Sequence, residues 1–184
     1  KPTEVAQELA SGAPRVEKTR VSVYQMDGNE MSAKEIFDKV SITGLTADSR
    51  QVTAGYLFAA IPGTAVDGAK FIPDAIKAGA TAILANADVT ADDLPDGIHL
   101  ITDSNPRRRL AKLAAQFYAP QPGTIVAVTG TNGKTSVADV TRQRWTALKT
   151  PAASIGTLGR VTNLADNTKM SGLTTPDPVE LHAT

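Results

Sequence analysis

Lys134 and Thr135 stand directly behind Gly133, with Gly130 three residues earlier, and this spacing suits the binding of a chain of phosphates. An ammonium at Lys134 would reach the β- and γ-phosphates, and the Thr135 hydroxyl would ligate Mg²⁺. Gly130 and Gly133 let the backbone take positive φ and approach an anion closely. Thr131, Asn132 and Ser136 complete the loop. Its N–H groups, with those of the helix it opens, point at the anion, and the helix dipole favours negative charge there. The general phosphate-loop pattern has a further glycine five residues before Gly133, where this chain has Val128. The loop is therefore a compact variant, Gly-Thr-Asn-Gly-Lys-Thr-Ser. These residues predict a nucleoside-triphosphate site with Lys134 and Thr135 as the reactive pair.

Such a loop needs a strand before it and a helix after it. Residues 124–129, Thr-Ile-Val-Ala-Val-Thr, have strand composition. The pattern behind the loop predicts a helix over residues 134–148, with Val137, Val140, Thr141, Trp145 and Leu148 on its inner face. Upstream, strands and helices alternate. Ser32-Ala33-Lys34-Glu35 reads as a capping box opening a short helix. Residues 42–45, 56–61, 81–85 and 98–101 read as strands, the unbroken apolar run at 56–61 being that of a buried one. Helices are expected over residues 71–78, with Pro73 in the first turn, and from Pro106 onward, with Ser104 as cap and Leu110, Leu113, Ala114 and Phe117 as stripe. Alternation of this kind gives a small α/β domain over residues 32–119. Pro120-Gln121-Pro122-Gly123 then reads as a linker.

Residues 1–31 are polar and without period, with room for a short strand at Val21, Val23 and Tyr24, and are expected to be an extension or flexible arm. Residues 120–184 read as the first part of a second α/β domain. A phosphate-loop sheet has about five strands, and two are legible here, so that domain is expected to be truncated.

Composition excludes several alternatives. Lys+Arg and Asp+Glu both number 19, so no global charge points to nucleic acid or an anionic membrane. Arg107-Arg108-Arg109 falls on a helix, where three consecutive side chains diverge, and is expected to be a solvated face. The chain has no cysteine, which removes disulfides, thiolate-bound zinc and a thiol nucleophile. No apolar run approaches the ~20 residues of a membrane span, and residues 1–20 lack the apolar core of a signal peptide. His99 alternates with apolar neighbours in a strand and reads as structural. His182 has no metal-ligand partner at useful spacing.

Taken with the Asp48-Ser49-Arg50 turn after the first domain's opening strand, the loop resembles that of the Mur ligases of bacterial cell-wall synthesis. The matching stretches are residues 46–52, 55–60, Asp67-Gly68 with Phe71-Ile72, the loop itself, Gly156-Thr157-Leu158-Gly159 and Thr174-Thr175-Pro176-Asp177-Pro178. The loop fits all Mur ligases and the related folylpolyglutamate synthases. The Asp-Ser-Arg turn and Thr-Thr-Pro-Asp-Pro favour the branch that adds the third residue of the peptide.

The resemblance implies a UDP-binding N-terminal domain and an ATP- and Mg²⁺-dependent central domain. Its substrates would be a UDP-N-acetylmuramoyl-dipeptide and a diamino acid. It further implies that Ala47 and Ser49 hold the uracil and ribose end, and that Thr64, Ala65 and Val66 contact the uridine diphosphate. Thr174 and Thr175 would meet the dipeptide near the γ-phosphate. Many relatives carry Asn where this chain has Leu173, so no side-chain contact is carried over there. A cytoplasmic monomer is expected. Two further readings remain at this point: a phosphate-loop phosphotransferase or ATPase, and a non-catalytic UDP-sugar-binding module.

Overall fold

The computed structural model describes residues 22–25, 33–63, 66–162 and 176–183. Its centre is a five-stranded, wholly parallel sheet in the order β1-β5-β4-β3-β2. The strands are β1 (Ser22–Gln25), β2 (Gly44–Thr46), β3 (Tyr56–Ala59), β4 (Ala82–Ala85) and β5 (His99–Thr102). Parallel strands need crossovers, and the chain supplies helices α1 (Ala33–Lys39) and α2 (Ile72–Lys77) between them. Helix α3 (Pro106–Phe117) follows β5.

Both faces of the sheet are covered, which is why its strands read as continuous apolar runs. Leu57, Ala59, Leu84 and Ile101 pack under α1 and α3, against Ile36, Val40, Leu110 and Leu113. Phe58, Ile83, Ala85 and Leu100 pack on the opposite side against Ile72 and Ala75 of α2. Alternation along β3 and β4 thus feeds two cores, and a one-residue slip would exchange them. The register sets Phe58 beside Ile83 and Ile83 beside Leu100.

Several local expectations are corrected. Ser22–Gln25 belong to the sheet and not to an arm: β1 pairs in parallel with β5, from Ser22 beside His99 to Gln25 beside Thr102. A polar segment becomes a strand there because β5 offers a free edge. Ser32 lies outside the described residues, as do residues 26–31. The cap of α3 is Asn105, whose side chain accepts from the Arg108 N–H at 3.0 Å, and not Ser104. Arg107 and Arg108 are exposed, but Arg109 is buried, since a helix turns about 100° per residue and carries the third side chain inward. There its Nε donates to Asp103 Oδ2 at 2.7 Å.

After a cis Ala119–Pro120 bond the chain reaches residues 124–129. These form no strand, and Ile125 is 77% exposed. A strand exists only by pairing, and among the described residues none pairs with this segment. Helix α4 (Lys134–Ala147) has no buried residue. Its expected inner face is largely open, with Val137, Val140 and Leu148 exposed and Thr141 and Trp145 half-buried. It packs on β6 (Ala153–Gly156), which forms an antiparallel hairpin with β7 (Gly159–Thr162) through a two-residue turn, Thr157-Leu158. The last element, α5 (Pro178–His182), packs back on α3, and Val179 joins the core beneath it. Among the described residues no helix is long and apolar enough to cross a membrane.

Candidate functional site

Two groups of residues are positioned by this framework. The first is the loop before α4. Gly130 has φ +148° and Gly133 φ +76°, conformations that a side chain at Cβ disfavours. Gly133 is the N-cap of α4 and brings no side-chain cap, and the first turn of the helix contains no acidic residue. Helix α2 also lacks a side-chain cap but has Asp74 in its first turn, whereas α3 and α5 are capped. Asn105 caps α3, and Asp177 accepts from the N–H groups of Val179 and Glu180 to cap α5. The N–H groups that every α-helix leaves unpaired at its start are thus covered in α3 and α5 by a side-chain oxygen and left open in α4.

Around that opening stand the side chains of Lys134 and Thr135. Lys134 Nζ donates to the carbonyls of Gly130 and, at 3.2 Å, Thr131, so the ammonium lies folded over the loop. Thr135 Oγ1 lies 2.9 Å from Thr157 Oγ1, in the turn between β6 and β7. Lys134, Thr135 and Ser136 are exposed, and so are Thr131 and Asn132. A Cβ built on Gly133 would meet nothing within 4 Å, so its positive φ and not crowding is what asks for glycine there. Amides, an ammonium and hydroxyls form a donor set suited to a polyphosphate with a hard cation. Among the described residues no group of three His, Asp or Glu side chains could hold a metal ion alone.

The second group lies at the carboxyl ends of neighbouring parallel strands, where open α/β sheets take their ligands. Thr46 ends β2, and its Oγ1 accepts from the Asp48 N–H at 3.1 Å. Asp48 in turn accepts from the Arg50 N–H at 3.0 Å, capping a 3-10 turn at Ser49–Gln51. Arg50 clamps the same carboxylate through Nε at 2.9 Å and a terminal nitrogen at 2.7 Å. That guanidinium holds the Asp48 carboxyl below the usual carboxylate range, against a smaller opposing effect of burial.

The turn is therefore rigid without help from Ser49. The Ser49 hydroxyl is half-exposed and makes no hydrogen bond among the described residues; Ala47 beside it is exposed. The loop after β3 closes on itself: Gly63 N–H donates to the Val66 carbonyl at 3.1 Å, and Gly68 N–H to the Ile61 carbonyl at 3.2 Å. Only glycine fits at 68, since a Cβ there would lie 2.6 Å from the Ile61 oxygen. Val66 is 49% exposed at the tip. Thr64 and Ala65 in this loop, and Thr174 and Thr175 later, lie outside the described residues. Sequence reasoning passed over Thr157, for which the hydroxyl within Gly-Thr-Leu-Gly was the available signal.

A parallel α/β unit with a hydrogen-bonded turn at its strand ends is followed by a glycine loop opening an uncapped helix. Comparison with known proteins identifies the family. Residues 41–118 match the model described as "Mur ligase family, catalytic domain", and residues 128–184 match the "Mur ligase middle domain". The chain belongs to the Mur ligase family.

Among similar proteins, the UDP-N-acetylmuramoyl-L-alanyl-D-glutamate--2,6-diaminopimelate ligase of Brucella melitensis biotype 1 is 50% identical over 154 residues. That alignment takes in 84% of this chain and 30% of the relative. The ligase of the same name from Zymomonas mobilis subsp. mobilis is 50% identical over 156 residues, 85% of this chain and 30% of its own. This chain thus spans less than a third of the length of those relatives. A solved structure of a ligase of that name superposes with TM-score 0.58 at 24% identity, over 77% of this chain and 28% of that one, which speaks for the fold alone.

Proposed function

We propose that this chain supplies the UDP-sugar site and the phosphate loop of an ATP-dependent ligase. That ligase adds the third amino acid, meso-diaminopimelate or L-lysine, to UDP-N-acetylmuramoyl-L-Ala-D-Glu. The observation that carries the reading is the N-terminus of α4, free of side-chain cap and acidic residue behind two glycines of positive φ. The names of relatives at about half identity support the substrate class.

Residues 130–136 would cradle the ATP phosphates with backbone N–H groups. Lys134 would leave the loop carbonyls for the β- and γ-phosphates, and Thr135 would offer its oxygen to Mg²⁺. The cation, when bound, supplies positive charge beside the phosphates. In the reaction, the γ-phosphoryl group passes to the substrate's terminal carboxylate, giving an acyl phosphate and ADP. The amine of the diamino acid then attacks the acyl carbon, and the C–O bond to phosphate breaks as the amide forms. Lys134 contributes by neutralising charge on the migrating group.

At the other site, Ala47 and Ser49 would receive the uracil and ribose end, with Thr64, Ala65 and Val66 along the diphosphate and Thr174 and Thr175 at the dipeptide. The free Ser49 hydroxyl on a turn already fixed by Asp48 and Arg50 suits this role, because nothing local uses it. A cytoplasmic location fits a nucleotide-linked substrate and a chain without cysteine.

Amide chemical-shift mapping tests the reading. UDP-N-acetylmuramoyl-dipeptide should move signals of residues 47–51 and 61–68, and ADP with Mg²⁺ those of residues 130–136. Nucleotide shifts confined to the parallel sheet would refute the division of sites.

A further inference from the structure

We propose that Thr157 is a positioning residue for the phosphate loop. Its Oγ1 accepts a hydrogen bond from the Thr135 hydroxyl, so that Thr135 presents a lone pair to the divalent cation of a bound nucleotide. The inference rests on the reading of residues 130–136 as a nucleotide-phosphate site and adds a residue to it.

A hydroxyl carries one proton and two lone pairs. An oxygen that ligates a cation must turn its proton away, and that proton needs an acceptor. The acceptor present is Thr157 Oγ1, 2.9 Å from Thr135 Oγ1 and 22 positions away in sequence. Either hydroxyl of the pair can be the donor, and a cation on Thr135 selects the direction in which Thr135 donates. No carboxylate competes for the task, since no hydrogen bond joins one to Thr135 among the described residues.

The placement follows from packing. Thr157 occupies the first position of the two-residue turn joining β6 to β7, and α4 lies against β6. Two regular elements therefore set the separation of the hydroxyls. Gly159 closes the turn at φ +72°, a conformation in which a side chain is strained. Gly156 opens it, and a Cβ built there would meet nothing within 4 Å. Thr157 thus has its hydroxyl aimed at the loop from a turn with open space on its flank. Outer partners of this kind are worth about 10- to 100-fold in metal affinity.

The test measures ADP affinity of the chain with Mg²⁺ and again with EDTA, for the wild type and for Thr157→Val, Thr157→Ala and Thr157→Ser. The wild type should bind more tightly with Mg²⁺. Thr157→Val should lose about tenfold of that tightening while its metal-free affinity stays unchanged, and Thr157→Ser should restore it to within about twofold. Should the valine variant fail to keep the hairpin, seen as lost amide protection over β6 and β7, Thr157→Ala decides by the same criterion. Undiminished tightening in the variants overturns the proposal. So does an equal loss with and without Mg²⁺, which marks a merely structural role. A wild-type chain that binds no nucleotide under either condition overturns the phosphate-site reading itself, and this proposal with it.

Discussion

His182 Nδ1 lies 2.8 Å from Gln121 Oε1, a hydrogen bond across 61 positions that ties the end of α5 to the proline-rich linker. Gln121 also donates through Nε2 to the Tyr118 carbonyl at 3.1 Å, so the linker side chain is held at both ends. The segment carrying Pro176 to His182 is thereby fastened to the first α/β unit, with Val179 in its core. Burial pushes the Tyr118 phenol up, and the neighbouring Tyr56 and Asp177 add to the shift.

The first prediction concerns that link. Gln121→Ala and His182→Ala should each cost about 1 kcal/mol, and the double variant little more than either single one. Hydrogen exchange of α5 amides in the four proteins checks this. Additive losses would show that the two side chains act independently.

A larger effect is expected at Asp103, whose carboxylate accepts from Arg109 Nε at 2.7 Å and from the Asn105 N–H at 2.7 Å. Arg109 is 4% exposed, so Asp103→Ala removes a carboxylate bonded to a buried guanidinium. The expected loss is about 3 kcal/mol, read from urea unfolding of the first unit. A change below 1 kcal/mol would mean that Arg109 finds an equivalent acceptor.

How much of this was legible in the sequence depends on where each residue finds its partners. Strands β3 and β4 announce themselves because burial on both faces requires runs such as Leu57-Phe58-Ala59 and Ile83-Leu84. The loop is legible because Gly130, Gly133, Lys134 and Thr135 act at short range. Ser22–Gln25 are a strand through distant β5; Val23 and Tyr24 left room for a short strand there, but its partner was not legible. Residues 124–129 have the composition without the partner, form no strand, and are exposed except for half-buried Val128. The stripe of α4 was legible as a pattern, yet Val137, Val140 and Leu148 find nothing to cover them among the described residues. The Asp48 clamp was readable from Asp-Ser-Arg, whereas the pairing of Thr135 with Thr157 needed the fold of the hairpin.

Asp48 gives a pH prediction. Its carboxyl is held down by Arg50, so its folded value lies below the unfolded one, near the ordinary ~4 of an aspartate. The stability it contributes is present above that unfolded value and is lost as pH falls through the folded one. The pair is largely solvent-screened and the effect is small. An NMR titration should find the Asp48 carboxyl titrating below the ordinary aspartate range, and Arg50→Ala should raise it. An unchanged midpoint in that variant would remove the guanidinium as the cause.

The two parts of the chain should differ in protection. Amides of β3 and β4, paired on both sides and buried, should exchange slowest, whereas those of residues 125–128 should exchange nearly as fast as an open chain. Hydrogen exchange followed residue by residue checks this. Slow exchange at Ile125 to Val128 would show a pairing partner that the fold described here does not provide.

Two separate sites are proposed for the chain, a uridine site at the ends of β2 and β3 and a phosphate site before α4. The most direct measurement is a paired titration of wild type and Lys134→Ala with ADP plus Mg²⁺ and with UDP-N-acetylmuramoyl-dipeptide. The variant should lose nucleotide affinity by at least about tenfold, the loss of one charged contact of 1.5–3 kcal/mol. Its affinity for the UDP-substrate should stay within about twofold of wild type, since distant sites behave independently. Loss of both affinities together, or of neither, would contradict the division of the chain into these two sites.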